Sequence, residues 1–385
     1  MKIVFFSHPL FFNSQSMQQY TNMLAQGMKA KGHVVEIWQP DPIVFQWPLP
    51  SFLKKWAGYF DQFVLFPRKV KKKLPNYSSD TLFVFIDNAL GPWVPLVANR
   101  KHVIHCHDFM AQKAAIGQIE ENKISFTGRL YQAFIKRGYL KGKNFISVSQ
   151  KTKSDLEKIL INTPQISEVV YNGLNPNFYT IEKQEARKQL SVICNLNFNN
   201  GFMLHVGGNL WYKNRTGVIE LYNKLRENNA ISYPLFLVGE SANESIATQI
   251  SISPYKADIY IKSKLDESVL NLAYNAASFF IFPSLEEGFG WPIAEAMACG
   301  TMVVTTNEMP MTEVGGEAAY YIPKRPFAAI LLEDWQSKCV LIIDEMLKLN
   351  KDEIEARVKV GQINIERFNL NLNIDKMEAI YLKIG

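Results

Sequence analysis

The stretch SFFIFPSLEEGFGWPIAEAMACGTMVVTT, residues 278–306, decides the fold class. Its first seven residues are a continuous apolar and aromatic run ending at Pro283 and Ser284, the pattern of a strand buried on both faces. LEEGFG reads as a loop. Pro292 stands where the first helical turn begins and its missing N–H costs nothing. The predicted helix, 292–299, is rich in small residues (Ala294, Ala296, Ala298) that let it pack closely on a sheet, and Gly300 closes it. TMVVTT is the next buried strand. A strand, a loop, a helix and a second strand make a βαβ unit, which demands a parallel sheet.

Two carboxylates, Glu287 and Glu295, flank this loop and helix start. The backbone amides of Gly290 to Ile293 are expected to point out of the helix N-terminus, an arrangement that suits an anion. Carboxylates on either side can accept hydrogen bonds from sugar and ribose hydroxyls without touching the anion. The pattern suits a ligand rich in phosphates and hydroxyls. Residue type alone leaves open that Glu287 is a loop charge and Glu295 a solvated helix residue.

The same alternation runs through the chain. KIVFF, HVVEIW, TLFVFID, HVIHCH, FISVS and EVVYNG form a first series of strands separated by helical patterns. FMLHVGG, PLFLVGE, DIYIK, SFFIFPS, TMVVTT and AAYYIP form a second. The polar, Asn-rich stretch from about Leu174 to Asn200 reads as the crossing between them. We expect two doubly wound α/β domains, 1–185 and 186–367, with a C-terminal helix at 368–385 packing back on the first. Ligands of such sheets bind beyond the carboxyl ends of the strands, so the expected site is the cleft between the halves.

With 385 residues the chain is long enough for two cores, and 47% hydrophobic with 20% charged residues is a globular composition. A net charge of +6 suits an anionic ligand or membrane surface but is too weak to argue nucleic acid. The four cysteines show no CxxC pair and no metal-like spacing, so they read as reduced thiols of a cytoplasmic protein. MKIVFFSHPLFFNSQ is too interrupted for a signal peptide, and no run approaches the roughly 18 apolar residues of a spanning helix. In FLKKWAGYFDQFVLFPRKVKKKL, residues 52–74, seven basic residues interleave with aromatic ones. Two readings stand for it: a helix at an anionic membrane face, such as the inner face of the cell membrane, or an amphipathic helix covering the first sheet.

Glu287-Gly288-Phe289-Gly290-Trp291-Pro292-Ile293-Ala294-Glu295, followed by AMACGT, resembles the E-x7-E signature of retaining GT-B glycosyltransferases of family 4, group 1 type. The resemblance implies the GT-B fold, two Rossmann-like domains facing each other across a cleft. It implies transfer of a hexose from a nucleotide sugar to a glycan or lipid-linked acceptor in polysaccharide biosynthesis, with retention at the anomeric carbon. A UDP-hexose such as UDP-glucose is the first donor choice and GDP-mannose the second, both on family frequency. A catalytically silent sugar-nucleotide binder on the same fold is the alternative. No cofactor is expected, and no metal, because no Asp-x-Asp pair is present to hold a divalent ion on the diphosphate.

HVGGNLWYKNRTGVIELY places Gly207 and Gly208 at a strand end and Lys213 and Arg215 at a helix opening, where cations can neutralise a diphosphate leaving group. The resemblance implies a basic clamp here. Many relatives carry an Arg directly after the glycine, whereas this chain has Asn209. His107 and Asp108 stand at the carboxyl end of a first-half strand; His107 is a candidate for the reacting hydroxyls, and Asp108 either orients it or caps the next helix. Where many relatives have a glycine pair after the first strand, this chain has Asn13, Ser14, Gln15 and Ser16, the candidate acceptor contacts. Val238, Gly239 and Lys262 stand where relatives hold the nucleobase, largely through backbone atoms. The expected catalytic set is His107, Lys213 and Glu287.

Overall fold

A computed structural model describes residues 1–12, 15–119 and 121–385. Among these, twelve strands form two six-stranded sheets. The first holds β1 (Lys2–Phe6), β2 (Val34–Trp38), β3 (Leu82–Phe85), β4 (His102–Cys106), β5 (Asn144–Ser147) and β6 (Ile166–Val169) in the order β2-β1-β3-β4-β5-β6. The second holds β7 (Met203–Gly207), β8 (Leu235–Gly239), β9 (Ile259–Ser263), β10 (Phe279–Phe282), β11 (Val303–Thr306) and β12 (Tyr320–Ile322) in the order β12-β11-β10-β7-β8-β9. Neighbouring strands are parallel throughout, with Phe6 opposite Phe85 and Gly207 opposite Gly239. Each of the twelve runs singled out in the sequence overlaps a strand, although β6 shares only Glu168 and Val169 with the run EVVYNG. The central ones are buried along their whole length, as in LFVF of β3 and FFIF of β10, because helices cover both faces of a parallel sheet.

The chain divides into two compact units, Met1–Tyr171 with Asn371–Gly385, and Asn172–Leu370. The division falls earlier than the boundary at 185 read from the sequence. The Asn-rich stretch is not a bare crossing: it contains the helix Lys183–Cys194, and Arg187 of that helix donates from Nε to the Ala276 carbonyl at 3.0 Å inside the second unit. The C-terminal helix Leu370–Ile384 joins the first unit through its polar side chains. Lys31 pairs with Asp375 and Glu378, and His33 Nε2 meets Glu378 Oε1 at 2.8 Å. Deeper in, the His105 ring lies between Tyr20 OH (2.8 Å) and Tyr381 OH (2.7 Å), and burial drives its pKa down to about 3, so it is a neutral core residue.

In the first sheet, the carboxyl ends of β1, β3 and β4 gather His8, Asp87 and His107. In the second, the carboxyl ends of β7, β8 and β10 gather the glycine pair, Lys213 and the acidic loop. The carboxyl ends of β7 and β8 approach each other closely. Gly239 has φ +139, and a Cβ on it would lie 2.2 Å from the Gly207 carbonyl oxygen. A side chain at 239 would therefore both strain the backbone and push the two strand ends apart. Gly239→Ala is expected to cost roughly 2–4 kcal/mol, combining backbone strain and overpacking, and to lower the melting temperature by several degrees in a thermal-shift measurement.

Candidate active site

The second site half is assembled by one turn. After β7 a short 3₁₀ turn, Trp211–Lys213, ends at Asn214, whose left-handed backbone (φ 53) starts the helix Arg215–Glu227. Asn tolerates that conformation better than most side chains. Asn214 Oδ1 accepts from the Gly217 amide at 3.1 Å, and its Nδ2 donates to the Pro283 carbonyl at 2.9 Å. The turn is thus fastened to the end of β10. Lys213 consequently lies over the Phe282 ring (5.0 Å to its centre) and donates from Nζ to Glu287 Oε1 at 2.7 Å. Glu287 is only 9% exposed, so it is not a solvated loop charge; its carboxylate is held by a lysine 74 positions earlier in the chain.

Arg215 departs from its expected role. It is 2% exposed, and Nη1 donates to Asn209 Oδ1 and to the Glu240 carbonyl, both at 2.7 Å. The guanidinium ties the loop after β7 to the loop after β8 through Nη1, while Nε and Nη2 are buried without a hydrogen bond among the described residues. Glu240 completes the tie by accepting from the Asn209 amide at 2.9 Å. The Arg that many relatives carry directly after the glycine is therefore Asn209 here, and the buried Arg215 bonds to it. The sequence reading also passed over His205, two residues before Gly207. Its Nδ1 donates to the Ile281 carbonyl at 3.0 Å, and its Nε2 is buried with no partner among the described residues. Burial, reinforced by the nearby Arg215 and Lys213 charges, lowers its pKa to about 3. A lone histidine in the apolar run FMLHVGG was the available signal.

The acidic loop leads into the helix Trp291–Ala298, one residue earlier than expected, with Gly290 (φ +103) at its N-cap. The predicted row of amides is shorter than it looked. Pro292 has no N–H, and the Ile293 amide already donates to the Gly290 carbonyl at 3.1 Å. Glu295, half-buried on the first turn, accepts from Tyr274 OH at 2.8 Å. Burial raises its pKa to about 7, with Glu267 pushing the same way; the Tyr274 hydrogen bond and the Lys213 charge pull against it. Val238 and Lys262 are register partners on β8 and the edge strand β9, and neither joins the cluster around Lys213 by a bond described here.

In the first unit His107 follows β4, and its Nε2 donates to the Ile86 carbonyl at 2.9 Å, leaving Nδ1 as the acceptor nitrogen. Burial lowers its pKa, although Asp87 opposes the shift. Asp108 accepts from the Met110 amide at 2.9 Å, at the start of the helix Met110–Ala115. Asn13 and Ser14 lie outside the described residues. Gln15 opens the helix Gln15–Ala30, and Ser16 is exposed beside it. The structure adds a pair that the sequence did not suggest: His8 Nε2 donates to Asp87 Oδ2 at 2.8 Å across 79 positions. Burial would raise the Asp87 pKa, but the His8 bond, the His107 ring and the Ala89 amide outweigh it and hold the carboxyl low. No group of three or more His, Cys, Asp or Glu side chains suited to a metal occurs among the described residues.

Two family models match consecutive parts of the chain: Glycosyltransferase Family 4 over residues 17–178 and Glycosyl transferases group 1 over residues 187–324. The second contains the Lys213–Glu287 pair and Glu295. O-antigen chain mannosyltransferase B of Escherichia coli is 33% identical over 120 residues, 31% of this chain and 32% of that protein. O-antigen chain mannosyltransferase RfbU of Salmonella typhimurium is 26% identical over 206 residues, 51% of this chain and 52% of that protein. The matches thus span about a third to a half of the length of these curated relatives. Among solved structures, sucrose-phosphate synthase from Thermosynechococcus elongatus superposes with a TM-score of 0.75 over 100% of this chain and 98% of that one, at 17% identity. That likeness bears on the fold, two Rossmann-like parallel sheets of the GT-B type. The two family matches, which together span most of the chain, identify it as a glycosyltransferase of family 4, group 1 type.

Proposed function

We propose that this glycosyltransferase moves a hexose from a nucleotide sugar to a hydroxyl of a glycan or lipid-linked acceptor, with retention and with neither cofactor nor metal. The observation that carries the reading is the Lys213–Glu287 pair at 2.7 Å, beside Glu295 at the carboxyl ends of β7 and β10. In the proposed reaction the bond from the anomeric carbon to the diphosphate oxygen breaks while the acceptor oxygen bonds to the same face. The departing phosphate takes the acceptor proton, so no protein carboxylate is needed as base or covalent nucleophile. Lys213 stabilises the charge that develops on the diphosphate. Glu287 aligns that lysine and receives sugar hydroxyls, and Glu295 receives the ribose. Backbone atoms of the Gly207–Gly208 and Gly288–Trp291 turns complete the donor contacts, with Val238, Gly239 and Lys262 toward the base. Arg215 acts through the loops it ties together. His107, through Nδ1, is the proposed acceptor-side contact.

Mannose from GDP-mannose is the better supported donor, because both curated relatives described above are named mannosyltransferases. A UDP-hexose, favoured on family frequency alone, is the competing reading. A panel of nucleotide sugars, read by nucleotide release with EDTA present and by NMR of the product's anomeric proton, separates these. GDP release with an α-linkage from the α-donor is the expected result. UDP release alone would transfer the assignment to the second reading, and a β-linkage would refute retention. No release from any donor would identify a silent binder.

Two variants test the named roles. Lys213→Ala should lower kcat by about 10²–10³ in the donor-release assay, whereas His107→Ala impairs transfer without abolishing it. Glu295 predicts a pH dependence. Its carboxyl is protonated below pH 7, where it accepts hydrogen bonds from ribose less well, so affinity is present above that pH and lost as pH falls through it. The Kd of the intact nucleotide sugar should weaken about tenfold between pH 8 and pH 6, and Glu295→Gln should flatten that profile while weakening binding overall.

A further inference from the structure

We propose that two parallel helices of the first unit form a docking face for an anionic lipid bilayer. The inference goes beyond the transfer reaction and does not depend on the donor. Sequence left residues 52–74 with two readings, and the structure divides the segment between them. The helical run Ser51–Phe60, Asp61–Leu65 and Phe66–Lys73 turns Phe66 and Val70 into the core. It turns Phe52 (72% exposed), Trp56 (60%) and Phe60 to solvent. These three lie at i, i+4 and i+8, one stripe of a helix.

A second stripe, not read from the sequence, lies beside it. The helix Phe126–Tyr139 exposes Phe126 (74%), Leu130 (55%) and Phe134 with the same spacing. Tyr59 stacks on Tyr131 at 5.5 Å, and Phe63 meets Phe134 edge-on at 5.5 Å. The contacts advance together along both helices, so the helices run in the same direction and the stripes lie side by side. Each exposed residue alone would be ordinary; six aligned on adjoining helices form an apolar patch of the kind that marks an interface.

Charge selects the occupant. Residues 51–74 and 126–139 carry ten basic side chains (seven and three) and a single acid, Asp61. Asp61 is 1% exposed, and its carboxylate is capped by the Val44 and Phe45 amides, so it leaves the surface field positive. Lys55, Arg129 and Arg137 are exposed on the same two helices as the apolar stripes. Two copies of such a face would repel each other. An anionic bilayer accepts both parts, aromatic side chains into its interface and cations at its headgroups. Each helix returns antiparallel to its sheet, so the Phe52 and Phe126 ends lie toward the carboxyl ends of the strands, the edge that carries His8, Asp87 and His107. Phe11 and Phe12, in the loop after β1, pack on Gly58 of the first helix. A lipid-linked acceptor presented from a bilayer on this face would emerge beside that edge.

The test is co-sedimentation of the full chain with vesicles of phosphatidylcholine alone and of phosphatidylcholine mixed with phosphatidylglycerol. Binding to the anionic vesicles only, released by high salt, is expected. A variant with Phe52, Trp56, Phe126 and Leu130 all changed to Ser should weaken that binding about tenfold or more. So should a second variant, Lys55→Glu with Arg129→Glu and Arg137→Glu. Both should keep the wild-type melting temperature and nucleotide release from a soluble donor. Absent binding, equal binding to neutral vesicles, or sedimentation velocity showing a dimer that the Ser variant dissociates would overturn the proposal. Nucleotide release is read separately from vesicle binding, so failure of the transfer reading and failure of the docking face are distinct outcomes.

Discussion

Asn214 reverses the chain between β7 and its following helix, and does so in a left-handed backbone conformation. Its side chain reaches in two directions, to the Gly217 amide and to the Pro283 carbonyl. Both bonds are buried, so breaking either would leave a polar group unsatisfied in the interior. The position of Lys213, one residue earlier, follows from this fastening, and so does its short bond to Glu287 at the end of β10. Glu287 can sit at 9% exposure because a cation meets it there; without Lys213 it would be a buried, uncompensated charge. The separate expectations about a clamp lysine and an acidic loop become one structure at this point.

The same sheet edge concentrates polar atoms that lack partners. His205 Nε2, two nitrogens of Arg215 and Ser284 Oγ are all buried without a hydrogen bond in the structure. Such groups are costly in a folded protein and call for an explanation where they occur together. Around them, burial holds His205 neutral and raises Glu295 to about 7. The region therefore carries less ionised charge near neutral pH than its residue types suggest, with Lys213 as its directed cation. At the Gly207–Gly239 contact, the absence of a side chain on Gly239 allows a backbone separation that a Cβ there would forbid.

The first unit uses its carboxyl edge differently. His8 and Asp87 pair across β1 and β3, and His107 stands at the end of β4, with burial lowering its pKa. The positive charge of this unit is displaced instead to the two outer helices, beside exposed aromatic side chains.

Local sequence determined a great deal of this protein. Inner parallel strands are buried on both faces, so β1, β3, β8 and β10 are written as apolar runs, and the helices between strands are written in their periodicity and glycine stops. Glu287, Glu295, Lys213 and the two glycines were legible because each is tied to a strand end or helix start by near neighbours. Tertiary structure alone decided that Arg215 turns inward to Asn209 and Glu240, and that the Ile293 amide is already engaged. It also decided that Tyr274 meets Glu295, that His8 meets Asp87, and that the 52–60 and 126–134 stripes adjoin. Those pairings depend on which strands lie side by side and how far the backbone carries each side chain, and a one-dimensional pattern records the period of an element but not its neighbour.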